Sequence, residues 1–222
     1  MPGDQSVYDY TGGKAWKIER QQRILEEAYR LFSEKSIEGV TMPEVAEASG
    51  VGRATVYRYY PTKLDLVVAI GTRTWDEYIQ SQGELLTEEE IEKMTGAEYL
   101  RFFLDGFLDL YRNHGDLLRF NYDFNSYLRS ADGSAEQKQP YIRMVDNLGQ
   151  LFHVLYEKGQ RDGTLRSDIP EVEMFSGSFH IMLAAVTRYA VGLVYVPESG
   201  ADPENELMML KELLLSHYCV NS

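Results

Sequence analysis

The chain has 222 residues, of which 44% are apolar and 26% charged, and its formal net charge is −13. This composition is typical of a globular protein with one or two domains and excludes a wholly disordered chain. The negative charge also argues against a histone-like protein that coats nucleic acid through bulk positive charge. The single cysteine, Cys219, cannot form an internal disulfide, and the polar N-terminus does not resemble a secretory signal, so a reducing cytoplasm is expected.

The charge is unevenly distributed along the chain. Residues 14–73 carry ten basic and eight acidic side chains, a net charge of +2, whereas the remainder carries 12 basic and 27 acidic side chains, a net charge of −15. A mildly basic segment joined to a strongly acidic body indicates two functions. A surplus of two charges is also compatible with ordinary surface composition.

Hydrophobic periodicity predicts an all-α protein. Ile24, Ala28, Leu31 and Phe32 repeat as on one face of an amphipathic helix, and no segment alternates as a half-buried strand does. Capping patterns, Gly and Pro then place the helix ends. Nine helices are predicted, over residues 14–35, 41–50, 51–60, 62–79, 95–114, 117–128, 140–162, 170–196 and 203–218, with a flexible arm over 1–13, an acidic linker or weak helix over 81–94 and a loop over 131–140.

The most apolar run, from Ile181 to Val196, does not predict a membrane span. It has sixteen residues and includes Arg188, whereas a bilayer needs about 20 apolar residues and a central arginine there is costly. We therefore expect a buried helix and no membrane partner.

Two short predicted helices follow a longer one and are joined at Gly50, which is the helix-turn-helix pattern. The second helix of such a unit enters the major groove with its N-terminal residues facing the base edges. Arg53 can bind guanine through its forked guanidinium, and Ala54 and the Thr55 methyl group suit contact with a thymine methyl. Hydroxyl and ammonium groups nearby suit phosphate contacts. The predicted DNA-contacting residues are Thr41, Met42, Pro43, Gly52, Arg53, Ala54, Thr55, Tyr57, Arg58, Tyr59 and Lys63.

The segment over residues 23–70 resembles the DNA-binding domain of the tetracycline-repressor-like (TetR) family of transcriptional regulators. The resemblance covers about a fifth of the chain and rests on Ala28, Leu31, Phe32, Thr41, Ala46, Gly50, Val51, Thr55, Tyr57, Tyr59 and Lys63 at the family's spacing. The chain departs from the family pattern at Pro43, where a polar residue is usual, at Gly52, where Ser is common, and at Tyr60, where Phe is usual. Each departure bears on sequence preference.

The resemblance implies a homodimer with an N-terminal helix-turn-helix domain, here residues 14–62, and a C-terminal ligand-binding and dimerisation domain, here residues 63–222. It implies that the last two helices dimerise, and that a small molecule changes the separation of the two DNA-reading heads. The expected partners are a palindromic double-stranded operator, a second copy of the chain and a small-molecule effector. Release of the operator by the effector would make the protein a repressor, and no cofactor is implied.

The C-terminal part is rich in aromatic residues that could line a ligand pocket or form ordinary core. The segment from Phe120 to Asn125 alternates aromatic and polar residues, and at 100° per residue its aromatic side chains cannot share one helix face. The expected effector is apolar and aromatic or flat. The predicted ligand-binding residues are Phe103, Phe107, Tyr111, Phe120, Tyr122, Phe124, Tyr127, Phe152, Tyr156, Phe179 and His180.

The last two predicted helices are candidates for a four-helix dimer interface. The helix over 170–196 is apolar nearly all round after Ile181, so several of its sides must be buried. Patterning alone also allows an intrachain core, and the family resemblance favours the interface. The predicted interface residues are Ile181, Ala185, Arg188, Gly192, Leu207, Leu210, Leu214 and Tyr218.

Two other classes of function are open to a helical protein of this kind. No pattern of a catalytic or metal site is present: the four histidines lack a preceding Glu-x-x-His spacing, and there is no cysteine pair, GxSxG or GxxxxGK[ST]. We therefore predict that the protein is not an enzyme and has no catalytic or metal-binding residues. A protein-interaction module that no longer reads DNA is the other alternative, and the dependence of DNA binding on salt would distinguish it.

Overall fold

The protein is described here by a computed structural model, which covers residues 10–193 and 202–220. Within these ranges the chain forms ten α-helices and no β-strand, which confirms the all-α prediction. The helices are α1 (Tyr10–Lys35), α2 (Met42–Ala48), α3 (Arg53–Tyr59), α4 (Lys63–Gly83), α5 (Glu88–Lys93), α6 (Gly96–Asn113), α7 (Gly115–Ser130), α8 (Ala135–Asp162), α9 (Glu171–Ala190) and α10 (Pro203–Tyr218).

The chain forms two compact units, residues 1–70 and 71–222. The boundary lies inside α4, a few residues after the position between Thr62 and Lys63 where the sequence places it. Thr62 begins this helix as expected, because its backbone amide and its hydroxyl donate to the Asp65 carboxylate, both at 2.8 Å.

The first unit contains α1, α2, α3 and the beginning of α4. Ile24, Ala28, Leu31 and Phe32 are all buried on one side of α1, as their spacing predicts. The apolar residues that complete this core come from the short helices and their connections, and they are Ile37, Val40, Met42, Val45, Ala46, Val51, Val56, Tyr60 and Leu64. Two seven-residue helices are thereby fixed by packing, since helices so short are not stable alone.

The second unit is arranged around α6, which packs against α7, α8, α9 and α10. The buried side chains Leu100, Leu104 and Leu108 lie along the inner side of α6, at the spacing of one helix face. Phe152 from α8 and Met182 from α9 belong to the same core. No helix in the described part of the chain is long and apolar enough to span a membrane.

Several predicted boundaries differ from the structure. Helix α1 already begins at Tyr10, inside the predicted arm, of which residues 1–9 lie outside the described residues. The segment over 81–94, predicted as a linker or weak helix, contains the short helix α5, and the predicted loop over 131–140 contains the beginning of α8. Both additional helix starts have capping boxes, one from Thr87 to Glu90 and one from Ser134 to Gln137.

Helix α9 ends at Ala190, earlier than predicted, and residues 194–196 of the predicted helix lie outside the described residues. Gly192 has φ of +72° and donates its amide to the Tyr189 carbonyl, while the Leu193 amide donates to the Arg188 carbonyl. This pair of bonds is a Schellman motif, which satisfies the last carbonyls of a helix and favours glycine at the left-handed position. Gly192 therefore terminates the helix, and the left-handed turn accounts for the glycine at this predicted interface position.

Candidate DNA-binding surface and ligand cavity

The turn between α2 and α3 is closed by backbone hydrogen bonds. Gly50 has φ of +62°, and its amide donates to the Glu47 carbonyl at 3.1 Å, while the Val51 amide donates to the Ala46 carbonyl at the same distance. This is again a Schellman motif, and it needs a residue that tolerates the left-handed conformation. The buried Val51 side chain anchors the chain directly before α3, so the start of α3 is held by both backbone and core.

Helix α3 presents its first turn to solvent. Gly52, Arg53 and Ala54 are all exposed, whereas Val56 in the next turn is completely buried. Tyr57 and Arg58 are exposed farther along, and Thr55 is half-buried. The residues expected to face base edges therefore lie at the accessible N-terminal end of a helix whose other side is fixed in the core, as a recognition helix requires.

Two of the predicted DNA-contacting residues have other roles. The Met42 side chain is buried in the core of the first unit, so it cannot reach DNA, and its prediction as a contact was wrong. Thr41 forms a capping box: its hydroxyl donates to the Glu44 carboxylate at 2.8 Å and accepts the Glu44 amide at 3.4 Å. These bonds engage the hydroxyl that was expected to contact phosphate. Pro43 follows in the first turn of α2 and is half-buried.

Lys63 and Tyr59 lie at the edge of the same surface. The Lys63 ammonium donates to the Glu38 carbonyl at 3.2 Å, and partial burial lowers the pKa of this lysine below its ordinary value. Tyr59 is half-buried, with the Arg58 guanidinium 5.4 Å from the centre of its ring. Both side chains therefore have fixed positions, which suits groups that set the register of a protein on the DNA backbone.

The N-terminal part of α1 adds basic groups that the sequence reasoning left out of the predicted contacts. Lys17 and Arg23 are exposed, and the Arg20 guanidinium lies 3.2 Å from the centre of the Trp16 ring. The signal was present in the sequence as a basic residue at every third position from Lys14 to Arg23. On a chain with a net charge of −13, such a segment is a local excess of positive charge.

The second unit contains a cavity of about 150 Å³ that is partly open to solvent. Four of the predicted ligand-binding residues line it, Phe103 and Phe107 from α6, Phe152 from α8 and Phe179 from α9. The sequence reasoning missed the other lining residues, which include Trp75, Tyr78 and Gln82 from α4, because the pattern of one helix does not show which neighbours share a cavity. The full lining is Trp75, Tyr78, Ile79, Gln82, Gly83, Tyr99, Phe102, Phe103, Gly106, Phe107, Leu110, Leu148, Leu151, Phe152, Leu155 and Phe179.

The aromatic rings of this cavity pack edge to face. Phe103 is 5.5 Å from Phe107 and 5.2 Å from Phe152, centre to centre, and Phe107 is 5.8 Å from Phe179. All three pairs have interplanar angles above 70°, the arrangement in which the positive edge of one ring meets the negative face of the next. The rings therefore form a fixed wall rather than a set of independently mobile side chains.

A small polar network lies at one end of the cavity. The Tyr78 hydroxyl donates to the Gly106 carbonyl at 2.6 Å and lies 3.3 Å from the Asp109 carboxylate, which also accepts the Gln82 amide at 2.9 Å. The Asn113 amide donates to the other oxygen of Asp109 at 2.7 Å. Burial, with the neighbouring carboxylate, raises the pKa of Tyr78 far above its ordinary value. The tyrosine is thus a neutral donor that joins α4 to α6.

The remaining predicted ligand-binding residues do not line this cavity. Phe120 and Phe124 are buried core, and the Phe124 ring lies 4.8 Å from that of Tyr141. Tyr111 packs against Tyr189, and the Tyr156 hydroxyl donates to the Ile169 carbonyl. Three residues lie elsewhere: Tyr122 and His180 line a separate open groove between α7 and α9, and Tyr127 lies half-buried on α7. A pocket that gathers all eleven residues was therefore a wrong prediction.

The predicted interface residues divide in a similar way. Leu207, Leu214 and Tyr218 are buried within the unit, so they are intrachain core and their assignment to an interface was wrong. Tyr218 packs so closely on α9 that a Cβ atom at Gly177 would lie 2.6 Å from its hydroxyl oxygen. Ala185 and Leu210 are half-buried against the same core. Hydrophobic periodicity in the sequence does not distinguish a helix face that is covered by the same chain from one that is covered by a partner chain.

An apolar strip nevertheless remains exposed on the last two helices. Ile181 on α9 is 43% exposed, and Met209 and Leu213 on α10 are 60% and 56% exposed. Arg188 lies on the exposed side of α9 with Ile181. Met209 and Leu213 are four residues apart, so they share one helix face. We call Ile181, Met209 and Leu213 the exposed strip.

Most of the first unit matches a known family of proteins. A family model described as "Bacterial regulatory proteins, tetR family" matches residues 24–70. A curated HTH-type transcriptional regulator of Staphylococcus aureus strain bovine RF122 is 32% identical over 92 residues, which cover 40% of this chain and 50% of the relative. Another, from strain USA300, is 27% identical over 186 residues, which cover 82% of this chain and 95% of the relative.

Solved structures of low sequence identity share the fold. A transcriptional regulator from Saccharomonospora viridis, solved in complex with choline, has a TM-score of 0.68 at 18% identity and covers 92% of this chain and 100% of its own. The regulator FadR from Bacillus subtilis, solved with stearoyl-CoA, has a TM-score of 0.66 at 18% identity and covers 88% and 98%. The family model, the relatives and the shared fold together support a DNA-binding transcriptional regulator of the TetR family rather than an enzyme.

Proposed function

We propose that the protein is a ligand-responsive repressor that binds a palindromic operator as a homodimer and releases it when a small, mostly apolar or aromatic effector binds. The observation that carries the proposal is the exposed first turn of α3, held in place by the buried Val51 and Val56. The cavity of about 150 Å³ in the second unit supplies a place for the effector. Such a protein acts in the cytoplasm, where its operator lies.

Sequence reading is assigned to the start of α3. Arg53 would bind a guanine edge through two parallel hydrogen bonds, and the small Ala54 leaves room for close approach to the base pairs. Tyr57, Tyr59 and Lys63 would contact phosphates, which fix the register of the helix without carrying sequence information. Pro43 and Arg58 remain proposed contacts at the margins of this surface.

Dimerisation is assigned to the exposed strip on α9 and α10. Three large apolar side chains on neighbouring helices expose much of their surface, and burying them against a second copy would gain free energy through the hydrophobic effect. A twofold dimer presents two copies of α3 to DNA, so its operator would be a palindrome. Repression follows from occupancy of the operator, and release from a change in the separation of the two copies of α3.

The class of the effector is supported by the cavity itself. Its wall is aromatic and aliphatic, with the polar network confined to one end. Two proteins of similar fold were solved with different ligands, one with choline and the other with stearoyl-CoA. These ligands differ in size and charge, so the class of effector proposed here rests on the residues that line the cavity of this chain.

The proposal is tested by selecting bound fragments from random duplex DNA and titrating the winning duplex at several salt concentrations. A sequence-reading dimer enriches a palindrome, and its affinity falls steeply with salt because phosphate contacts release counterions. A protein-interaction module would enrich no sequence. If nothing is enriched, the selection is repeated with protein that has been unfolded and refolded away from bound small molecules, and a second failure rejects the proposal.

A further inference from the structure

We infer that the cavity of the second unit takes an uncharged molecule about the size of one aromatic ring, carrying one hydrogen-bond donor that binds the Gln82 side-chain oxygen. This inference rests on the proposed function for the statement that the bound molecule is the effector. The binding preference itself follows from the volume of the cavity, from the charges around it and from the orientation of Gln82.

The volume sets the size of the ligand. The cavity has about 150 Å³, and an apolar protein cavity of about 150 Å³ is known to stay dry and to bind benzene. The wall does not yield easily, because Phe103, Phe107, Phe152 and Phe179 contact one another edge to face. A single six-membered ring with one small substituent therefore fills this volume without displacing the wall, whereas a long acyl chain would extend out of it through the open side.

The lining disfavours an anion. None of the described residues that line the cavity is Lys, Arg or His, and a buried carboxylate or phosphate without a cationic partner pays most of its desolvation cost. The Asp109 carboxylate contacts Tyr78 and Gln82 and therefore lies directly behind two lining side chains, with the His114 imidazole 3.5 Å away on its other side. Its negative charge adds repulsion to the desolvation cost.

A cation is disfavoured for a different reason. The Asp109 carboxylate is the anionic group of this network that could pair with a cation, but it already accepts from Gln82 and Asn113 and lies 3.5 Å from the His114 imidazole. It also does not line the cavity. A bound ammonium group would lose its water without forming a direct ion pair, and it would have to break an existing hydrogen bond to form one.

Gln82 supplies the polar recognition. Its amide nitrogen faces Asp109, because a carboxylate accepts hydrogen bonds and cannot donate them, and this fixes the orientation of the amide group. The amide oxygen then points away from Asp109. It lies 3.7 Å from the position that a Cβ atom on Gly106 would take, and Gly106 lines the cavity. This oxygen is therefore an acceptor placed for a ligand hydroxyl or amide N–H.

The first test compares small probes of matched shape by calorimetry on the full chain. Benzamide and benzoate differ in charge but hardly in shape, as do benzyl alcohol and benzylammonium, and phenol differs from toluene by one donor. We expect benzamide to bind about tenfold or more tightly than benzoate, with benzyl alcohol ahead of benzylammonium and phenol ahead of toluene. Equal or tighter binding of benzoate or benzylammonium would overturn the inference, as would the absence of binding by every neutral probe.

Three variants test which residues cause the binding preferences between the probes. Asp109→Asn removes the charge but keeps an acceptor for Tyr78, so the disadvantage of benzoate relative to benzamide should shrink. Asp105→Asn is the matched control one turn earlier on α6, because Asp105 pairs with Lys211 and does not line the cavity, and it should leave the ratio unchanged. Gln82→Leu should abolish the advantage of phenol over toluene. If Asp109→Asn leaves the ratio of benzamide to benzoate affinity unchanged and Gln82→Leu leaves the ratio of phenol to toluene affinity unchanged, in protein that is still folded by circular dichroism, the roles given to Asp109 and Gln82 are contradicted.

The binding data also separate this inference from the proposed function. Palindrome enrichment by a protein that binds none of the neutral probes would reject the inference and leave DNA reading intact. Tight, selective binding of the neutral probes by a protein that enriches no DNA sequence would support the inference about the cavity and reject the proposed function.

Discussion

The backbones of Gly96 and Gly159 lie against each other where the start of α6 crosses the end of α8. A Cβ atom added at Gly96 would be 2.1 Å from the Gly159 Cα atom, and one added at Gly159 would be 2.3 Å from the Leu165 side chain. The crossing is tied by hydrogen bonds from the Gly96 amide to Asp162 at 2.7 Å and from the Ala97 amide to Thr164 at 3.0 Å. Neither position has room for a side chain.

This crossing predicts a stability difference between two glycines of one helix. Gly159→Ala should lower the free energy of unfolding by about 1–3 kcal/mol, because the new methyl group overpacks the contact with Leu165. Gly149→Ala, also in α8, should be neutral or stabilising, since its Cβ atom would meet Phe175 at an ordinary 3.8 Å and alanine is the better helix former. Urea denaturation of both variants measures the difference. Equal effects would show that the contact between Gly159 and Leu165 tolerates a side chain.

Arg53 is expected to read one base in each half-site. Arg53→Ala should lose about 1–3 kcal/mol of discrimination at that base pair, because the bidentate contact with guanine disappears. The measurement is a competition assay on the selected operator with each base changed in turn. Arg30→Ala serves as the control, because Arg30 is engaged with Glu27 and Glu34 on α1. A uniform loss of affinity on all sequences would instead assign Arg53 to a phosphate.

Lys63 is expected to act without regard to sequence. Lys63→Ala should weaken binding to every duplex by a similar factor and reduce the slope of affinity against salt concentration by about one phosphate contact. Anisotropy titrations of the operator and of a scrambled duplex at several salt concentrations measure both quantities. A loss confined to the operator would contradict a phosphate contact.

The neighbouring residues Leu213 and Leu214 should behave differently when charged. Leu213→Asp should give a folded monomer, because Leu213 is exposed on α10 and belongs to the proposed interface. Leu214→Asp should unfold the second unit, because Leu214 is buried in its core and a buried unpaired carboxylate is strongly destabilising. Light scattering gives the mass and circular dichroism the helix content. A Leu213→Asp protein that stays dimeric would remove the exposed strip from the interface.

His153 predicts a pH-dependent contribution to stability. Its ring nitrogen lies 2.9 Å from the Glu171 carboxylate, and this hydrogen bond raises the pKa of the histidine above its ordinary value. The stabilisation is fully present below the pKa of the unfolded state and is lost as the pH rises through the folded pKa. His153→Gln should therefore lower Tm at pH 5.5 more than at pH 8.5. An equal change in Tm at both pH values would contradict the ion pair.

Local signals in the sequence predict local structure well. The capping boxes at Thr41 and Thr95 give the starts of α2 and α6, because each needs only side chains and amides within one turn. The same pattern begins α5 at Thr87 and α8 at Ser134. The start of α8 was placed too late, and α5 was left open between a linker and a weak helix, because acidic or polar composition outweighed the pattern.

Tertiary contacts were the part that one sequence could not supply. Helix periodicity identifies the buried faces that carry Leu214 and Phe124, but it does not show whether the covering surface is a neighbouring helix, a ligand or a second chain. In the structure Leu214 is covered by the core of the second unit, and Phe124 lies against Tyr141. The residues of α4 that line the cavity were not predicted, because the sequence pattern of that segment shows only that it forms a helix.

Sequence-specific DNA reading by α3 is tested most directly by one affinity ratio. The selected palindrome and a scrambled duplex of the same length and composition are titrated at physiological salt with effector-free protein. We expect the palindrome to bind about 10³-fold or more tightly, the usual margin of a specific regulator over non-specific binding. Equal affinities for the two duplexes would mean that the exposed turn from Gly52 to Ala54 does not read bases, and would contradict the proposed function.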